Sequence, residues 1–317
     1  MLGYIFRRFI LVIPSIIGVT LIAFAIMKAT PGDPVLVMLG AGYAEPGSPE
    51  TIALQRTKLG LDQPVYLQYF SFLWRLLRGD LGQSIYSGRP VIAEIGEALP
   101  KTILLTITSM GIAIAIGIIA GIFAAIKQYS VFDNLSMIGS IAAASLPSFW
   151  LGFIIMLVFG YYLNLFPLSG YGTPAHLVLP SLTLGIAGSG LIARITRSSM
   201  LEVIRKDFIR ATQAKGVPEL KILFRHALRN AAIPIVTVVG NSFGNLIAGT
   251  FLVEVVFAWP GMGRLAVQAV SQRNYPIVYG SVLVVALLFI VINLVVDILY
   301  AYIDPRIQFA RRQEISK

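Results

Sequence analysis

The sequence contains no cysteine, only two histidines and few charged residues. Without cysteine, the chain has no disulfide framework, no thiol nucleophile and no cysteine-ligated metal. His176 and His226 lie far apart in the sequence, which argues against a histidine metal cluster. Charged residues make up 13% of the chain, against roughly a quarter in an average soluble domain, and hydrophobic residues make up 56%. This balance predicts a polytopic membrane protein.

Sequence signatures of catalysis are missing as well. No glycine is followed by lysine, so the phosphate-binding loop of an ATPase does not occur, and neither Gly-x-Ser-x-Gly nor His-Glu-x-x-His is present. We therefore expect a non-enzymatic chain with no catalytic residue, no cofactor and no metal site. The net charge of +10 is clustered beside apolar stretches, which indicates contact with membrane lipid rather than with nucleic acid.

Six apolar stretches are long enough to cross a hydrocarbon core of about 30 Å, which requires about 20 helical residues. They cover residues 9–27, 102–126, 135–163, 177–195, 231–253 and 280–302. Pro147 predicts a kink inside the third stretch. The first stretch follows Arg7 and Arg8, but it is too long for a signal-peptide core and no Ala-x-Ala-like cleavage site follows it. We interpret it as an uncleaved membrane helix.

The distribution of lysine and arginine predicts the orientation. Sixteen of the 25 basic residues fall in segments that are cytoplasmic if the N-terminus is cytoplasmic, and the two short outer loops carry only Arg264 and Arg273. The positive-inside rule therefore predicts that both termini are cytoplasmic. We expect an all-α protein with six transmembrane helices. Its segments are an N-terminal helix in residues 1–28, an extracytoplasmic segment at 29–101, a transmembrane core at 102–303 with a cytoplasmic loop at 197–230, and a tail at 304–317.

The extracytoplasmic segment is patterned as short helices. Ser48 is a candidate N-cap for a helix that runs to Leu59, and Pro64 begins a second helix. The apolar positions of the second helix cover one broad face: Val65, Leu67, Tyr69, Phe70, Phe72, Leu73, Leu76 and Leu77. That face fits equally well a lipid surface, a small core or a docking patch. Farther along the chain, residues 265–270 predict a short helix, with Trp259 at the membrane interface.

Asp297 is the one ionisable residue that the hydropathy pattern clearly places inside a predicted span. A single acid there predicts either a proton or cation site, or a structural partner for Arg194 or Arg197. Its position near the cytoplasmic end favours the structural role. Secondary transporters usually have ionisable residues within their spans, and here the interior of the spans is otherwise uncharged. If the chain transports a solute uphill, we therefore expect the energy to come from a partner.

A basic, amphipathic segment separates the fourth and fifth predicted spans. It carries nine lysines or arginines from Arg194 to Arg229. Residues 205–215 predict a helix with Phe208, Ile209, Ala211 and Thr212 along one side, ended by a left-handed Gly216 and by Pro218. Residues 218–230 predict a second helix with Leu220, Leu223, Phe224 and Ala227 on one face. A loop lying on anionic headgroups is the alternative, but two capped helices meeting at a glycine favour a docking surface for another protein.

This segment resembles the EAA loop of ABC importer permeases. The family pattern is Glu-Ala-Ala, three residues, Gly, nine residues and Ile-x-Leu-Pro. Here the corresponding residues are Arg210-Ala-Thr212, Gly216 and Ala231-Ala-Ile-Pro234. Arginine replaces the leading glutamate, and the gap to the proline is five residues longer. Together with Gln213-Ala-Lys-Gly216 and Arg225-His-Ala-Leu-Arg-Asn-Ala-Ala-Ile-Pro234, these departures resemble the dipeptide/oligopeptide/nickel branch.

Further motifs resemble the same branch in their order and spacing. They are Pro31-Gly-Asp-Pro34, Leu59-Gly-Leu-Asp-Gln-Pro64, Gly79-Asp-Leu-Gly82, Leu179-Pro-Ser-Leu182, Phe257-Ala-Trp-Pro-Gly261, Asn274-Tyr-Pro276 and Asp304-Pro-Arg306. The paired arginines before the first span and the long outer loop after it resemble the B-type subunit. The resemblance implies a type I permease fold in a bacterial or archaeal cytoplasmic (inner) membrane. It also implies a heterodimer with a C-type permease, two cytoplasmic ABC ATPase subunits and an extracytoplasmic solute-binding protein.

The resemblance also implies which residues couple the chain to the ATPase. They are Asp207, Phe208, Ile209, Arg210, Ala211, Thr212, Ala214, Lys215 and Gly216. Peptides, nickel chelates, glutathione and some oligosaccharides all fit as the solute, and no substrate-binding residue is identified. Two other functions fit the sequence. One is a secondary transporter or channel that acts without ATPase partners, and the other is a membrane scaffold that recruits a cytoplasmic enzyme.

Overall fold

The computed structural model describes residues 2–29, 49–58 and 62–303. Within these residues all regular secondary structure is helical, apart from an isolated β-bridge between Gln83 and Pro90. The described residues group into two compact units. The larger is built mainly from Thr102–Pro260, and the smaller from Arg8–Lys101 and Gly261–Ile290. Ser48, the motifs at 31–34 and 304–306, and the tail at 304–317 lie outside the described residues.

Twelve α-helices follow one another along the described part of the chain, two of them extended by π-helical turns. The first six are α1 (Leu2–Ala29), α2 (Pro49–Lys58), α3 (Val65–Leu77), α4 (Val91–Ile126), α5 (Val131–Ser145) and α6 (Ser148–Ile155). The others are α7 (Ala175–Ile204), α8 (Asp207–Ala214), α9 (Glu219–Lys221), α10 (Leu228–Val256), α11 (Met262–Ser271) and α12 (Tyr275–Ile303). A π-helical segment, Met156–Tyr162, continues α6, and a second, Ile222–Ala227, joins α9 to α10.

Five of the described helical stretches are long and apolar enough to cross a membrane, and the broken pair α5–α6 makes a sixth when it is counted as one span. The predicted all-α membrane fold with six spans is therefore confirmed. The two halves of the broken span meet at 112°, and Pro147 stands between them with an extended ψ of 132°. The predicted kink is confirmed, because the proline ring cannot continue the preceding helix.

Helix α4 is longer than the hydropathy pattern predicts. It begins at Val91, whereas the second apolar stretch begins at residue 102. The added turns contain Glu94, Glu97 and Lys101, which lower the hydropathy but favour a helical backbone. An apolar-run criterion therefore detects only the membrane-crossing part of this helix.

Close contact through small residues joins α4, α5 and α7 in the larger unit. A Cβ added to Gly117 would lie 2.7 Å from the side chain of Ile192, and one added to Gly121 would lie 2.5 Å from that of Thr196. A Cβ on Gly190 of α7 would lie 2.3 Å from the carbonyl oxygen of Ser140 on α5. Membrane helices associate mainly through such packing, because lipid removes most of the hydrophobic driving force. Helix α7 is thus held on two sides before the chain leaves it at Ile204.

Trp259, which the sequence pattern places at the membrane interface, is buried, with 2% of its surface exposed, so its ring packs inside the protein. Its ring meets that of Tyr171 edge-on, with 4.9 Å between the centroids, and its backbone N–H donates to the carbonyl of Glu254 at 2.8 Å. It packs in an apolar cluster with Leu179 and Phe257. The sharp turn after α10 folds the indole back into the larger unit, which hydropathy alone does not predict.

Candidate functional site

The loop after α7, which the charge distribution predicts to be cytoplasmic, begins with a short helix that has defined ends. Arg205 closes α7, Lys206 is extended (φ −74°, ψ 146°), and α8 then runs from Asp207 to Ala214. Gly216 has φ +76°, and its N–H donates to the carbonyl of Gln213 at 2.9 Å. Only glycine adopts this conformation without strain, so the predicted left-handed stop at Gly216 is confirmed. The helix itself is shorter than the predicted 205–215.

Helix α8 has one buried position and a broad exposed surface. Ile209 is 1% exposed, whereas Phe208, which the sequence pattern places on the same side, is 41% exposed. Thr212 is half-buried and donates its hydroxyl to the carbonyl of Phe208 at 2.7 Å. The remaining candidate coupling residues are all exposed: Asp207, Arg210, Ala211, Ala214, Lys215 and Gly216. The predicted single apolar side is therefore divided between an inward isoleucine and an outward phenylalanine.

Ile209 belongs to an apolar cluster that we call the loop core. Its buried members are Ile122, Ala125, Met200, Val203, Ile209, Ile222, Leu223, Ala227, Ala231 and Ile235. They come from α4, α7, α8, the second π-helical segment and α10. Burying an isoleucine side chain contributes about 1.5–3 kcal/mol. Ile209 therefore packs α8 against the ends of three membrane helices, α4, α7 and α10.

The second loop helix differs from its prediction. Only Glu219–Lys221 is α-helical before the π-helical segment Ile222–Ala227, in which the N–H of Leu228 bonds the carbonyl of Leu223. Leu220 and Phe224, expected on the buried face, are 70% and 57% exposed, and Ile222 is buried instead. The wider π turn changes the register of the faces, and an α-helical spacing rule cannot anticipate it.

The exposed surface of the loop is basic with apolar side chains between the charges. Arginine and lysine are exposed at seven positions, 205, 206, 210, 215, 221, 225 and 229, against three exposed acids at 202, 207 and 219. Two of the acids pair with nearby bases: Glu202, at the end of α7, with Lys206 at 3.1 Å, and Asp207 with Arg210 at 4.0 Å. Arginines around an exposed aromatic such as Phe208 are typical of protein interfaces.

Arg197 pairs with Asp133. The arginine Nε lies 2.6 Å from one carboxylate oxygen and Nη2 lies 2.7 Å from the other. The same carboxylate accepts the N–H of Tyr129 at 2.9 Å, and Ser130 caps the N–H of Asp133 at 3.2 Å. Sequence reasoning missed Asp133, although a serine followed three residues later by an acid is a helix-start signal. The side chain of Asp297 lies outside the described residues.

Sequence reasoning also missed an acid near the C-terminal end of α10. Glu254 is fully buried, and one of its carboxylate oxygens accepts the hydroxyl of Thr102 at 2.6 Å. The predicted fifth span ended one residue earlier, which left this acid outside it. Asp297 is therefore not the only acid within the membrane helices. Among the described residues, no three histidines, cysteines or acids stand close enough to hold a metal ion.

A turn in the smaller unit is held by a buried asparagine. Asn274 is 1% exposed, donates to the hydroxyl of Ser84 at 2.8 Å and accepts the N–H of Ile85 at 3.2 Å. The hydroxyl of Tyr86 donates to the carbonyl of Gln272. These bonds join residues 84–86 to residues 272–274 and hold the turn in one shape.

Two solved structures share this arrangement of helices over about two thirds of the chain. The MetNI methionine ABC transporter in inward facing conformations matches with a TM-score of 0.57 at 17% identity, over 67% of this chain and 96% of the matched chain. A second crystal form of the same transporter matches with a TM-score of 0.55 at 20% identity, over 66% and 96%. At this identity the similarity establishes the fold.

Similarity in sequence extends over nearly the whole chain. The dipeptide transport system permease protein DppB of Alkalihalophilus pseudofirmus is 42% identical over 98% of this chain and 100% of its own length. The protein of the same name from Escherichia coli is 39% identical over 97% and 99%. The glutathione transport system permease protein GsiC of Salmonella typhimurium is 42% identical over 98% and 100%.

Two family descriptions cover the chain. Residues 1–106 match the N-terminal region of binding-protein-dependent transport system membrane components. Residues 117–309, which include the whole loop between α7 and α10, match the family of binding-protein-dependent transport system inner membrane components. The chain is therefore a multi-pass protein of the cytoplasmic membrane and belongs to the family of binding-protein-dependent transport system inner membrane components.

Proposed function

We propose that this chain is one of two permease subunits of an ATP-driven importer that receives its solute from an extracytoplasmic binding protein. The observation that carries the proposal is the division of α8 into Ile209, which is buried in the loop core, and an exposed basic surface around Phe208. A helix held by one buried residue and otherwise open to the cytoplasm is suited to receive a second protein. The two ATP-hydrolysing subunits would be that protein.

The proposed coupling is mechanical. ATP binding closes the ATPase pair, and this displaces α8 together with the loop core. Since the loop core contains residues of α4, α7 and α10, the cytoplasmic ends of these helices move as one body. The bonds between Arg197 and Asp133 extend that body to α5. Packed helices that shift between two arrangements are a common basis for such a switch.

The contact surface for the ATPase consists of the exposed candidate residues: Asp207, Phe208, Arg210, Ala211, Ala214, Lys215 and Gly216. Ile209 and Thr212 belong instead to the inward side and act by holding the helix in place. On the outer side, the turn held by Asn274 belongs to the docking surface of the binding protein. Trp259, being buried, does not contact it directly.

The solute is proposed to be a dipeptide, an oligopeptide or a related small molecule. Relatives near 40% identity carry names that refer to dipeptide and glutathione transport, and both solutes are short peptides. A second permease of the C-type would complete the pathway. A secondary transporter remains the alternative function. Uptake that stops when proton and sodium gradients collapse at constant ATP would favour that alternative.

Cross-linking tests the docking surface directly, because the chain has no cysteine of its own. In the reconstituted complex, Arg210→Cys and Ala211→Cys should cross-link to an ATPase subunit. Lys127→Cys is the control, since Lys127 is also exposed but lies on the turn between α4 and α5. Failure of both loop positions to cross-link, with uptake intact, would reject α8 as the ATPase contact.

A further inference from the structure

Helix α3 presents a stripe of largely exposed apolar side chains. Tyr66, Phe70, Trp74 and Leu77 are 63%, 64%, 58% and 80% exposed. Their spacing of four, four and three residues places them in one row along the helix. Large apolar side chains in a continuous row are not typical of a surface that faces water.

The opposite side of α3 is fastened to α1. The ring of Phe24 lies 5.4 Å from that of Tyr69 and 5.9 Å from that of Phe72, measured between centroids. The hydroxyls of Thr20 and Tyr69 are hydrogen-bonded at 2.9 Å. Phe72 is 6% exposed and Thr20 is 1% exposed, so this contact is closed to solvent. Helix α3 therefore lies at the same depth along α1 as Thr20 and Phe24.

That level is within the membrane-crossing part of α1. The apolar span of α1 is Ile10–Lys28, and Lys28 is its outer end. Phe24 and Thr20 precede Lys28 by four and eight residues, which corresponds to about 6 and about 12 Å along the helix axis. Amphipathic helices at a bilayer surface bury their apolar face about 5–10 Å into the boundary between headgroups and acyl chains. The contact of α3 with Phe24 falls at this depth, and its contact with Thr20 lies about 2 Å deeper than this range.

The third side of α3 is polar and basic. Ser71, Arg75 and Arg78 are exposed, spaced at four and three residues, and lie beside the apolar stripe. The guanidinium of Arg78 stands 4.7 Å above the ring of Trp74. The helix contains no acidic residue. With this arrangement, the two arginines can contact lipid phosphates while the neighbouring apolar row enters the acyl chains of a membrane.

From these observations we infer that α3 is an interfacial helix whose stripe of Tyr66, Phe70, Trp74 and Leu77 inserts into the outer leaflet of the bilayer. Lipid is the occupant because the apolar surface continues that of α1, where Leu21 and Ile22 are exposed at the same level. The arginines reach the phosphate headgroups. The smaller unit is thus anchored to the membrane by α3 as well as by α1. This inference does not depend on the proposed coupling role of α8.

Depth-dependent quenching tests the insertion. Single cysteines at Phe70 and Ser71 would be labelled with a small fluorophore in the full chain, assembled with its partner subunits in vesicles of phosphatidylethanolamine and phosphatidylglycerol. A spin-labelled lipid should quench the label at position 70 at least about threefold more than the label at position 71. Aqueous iodide should show the reverse order. The two positions share one helix, so each is the control for the other.

A measurement without a label guards against disturbance by the fluorophore. In the otherwise unchanged chain, brominated lipid quenches tryptophan fluorescence, and Trp74→Phe should remove a measurable part of that quenching. Equal responses at positions 70 and 71, or unchanged lipid quenching after Trp74→Phe, would overturn the inference. Shielding of position 70 only when the binding protein or the second permease is present would assign the stripe to that protein instead.

Discussion

Asp133 and Arg197 form a two-point ion pair between the start of α5 and the C-terminal half of α7, with N–O distances of 2.6 and 2.7 Å. The carboxylate is 2% exposed and the guanidinium side chain 22% exposed. Seven residues after Arg197, α7 ends at Ile204, where the loop to α8 begins. The pair therefore joins the turn between α4 and α5 to the helix that leads into the cytoplasmic loop.

Breaking this pair should destabilise the chain strongly. Asp133→Ala leaves the arginine without its counter-charge, and the loss of one partner of a buried pair costs about 3 kcal/mol or more. Thermal unfolding of the purified protein should show a clear decrease in midpoint. Glu202→Gln is the matched control, because its pair with Lys206 is 73% and 51% exposed and such surface pairs contribute at most about 1 kcal/mol. Equal effects of the two substitutions would contradict the structural role.

Neighbouring residues of α8 should respond in different ways to truncation. Ile209→Ala removes a side chain from the loop core and should lower the free energy of unfolding by about 2–5 kcal/mol. Phe208→Ala removes an exposed side chain and should leave the unfolding midpoint nearly unchanged, within about 0.5 kcal/mol. In the assembled transporter, Phe208→Ala should nevertheless reduce the ATP-driven uptake of the solute. A stable Ile209→Ala variant, or normal uptake by Phe208→Ala, would contradict the assigned faces.

Gly216 should tolerate substitution poorly although the space around it is open. An added Cβ would meet nothing within 4 Å, but φ is +76°, where a side chain costs on the order of 1 kcal/mol. Gly216→Val adds a β-branch, so we expect normal insertion, near-normal assembly with the second permease and uptake reduced at least about tenfold. Gly139→Val is the control, since its surroundings are equally open and its backbone is helical. Equal uptake by the two variants would argue against a required turn.

The close contact between α4 and α7 should make one glycine of α4 sensitive and another indifferent. A Cβ on Gly121 would lie 2.5 Å from Thr196 and 2.6 Å from the carbonyl oxygen of Ala193, whereas Gly111 has nothing within 4 Å. Gly121→Ala should therefore destabilise the chain by about 1–3 kcal/mol. Gly111→Ala should be neutral or slightly stabilising, because alanine is the better helix former. Thermal midpoints of the two variants measure the difference, and a stable Gly121→Ala variant would show that the helices can move apart.

Features that depend on local composition could be predicted from the sequence. The length of the apolar stretches predicts the six spans. Pro147 predicts the break between α5 and α6, because it has no N–H and its ring clashes with the preceding turn. Gly216 predicts the left-handed end of α8. The motif order indicates the family, and the similarity to known permeases over nearly the whole chain confirms it. Each of these signals is carried by neighbouring residues and needs no knowledge of how distant helices meet.

Contacts between distant segments were decided by the tertiary structure alone. Arg197 lies far along the chain from Asp133, and only the packing of α5 against α7 makes them partners. The π-helical turn reassigns the buried face around Ile222, and the turn after α10 buries Trp259. For α3, periodicity indicated an apolar helix but could not separate the side held by Phe24 from the exposed stripe. Hydropathy and spacing predict that a residue avoids water, whereas the packed helices determine whether protein or lipid surrounds it.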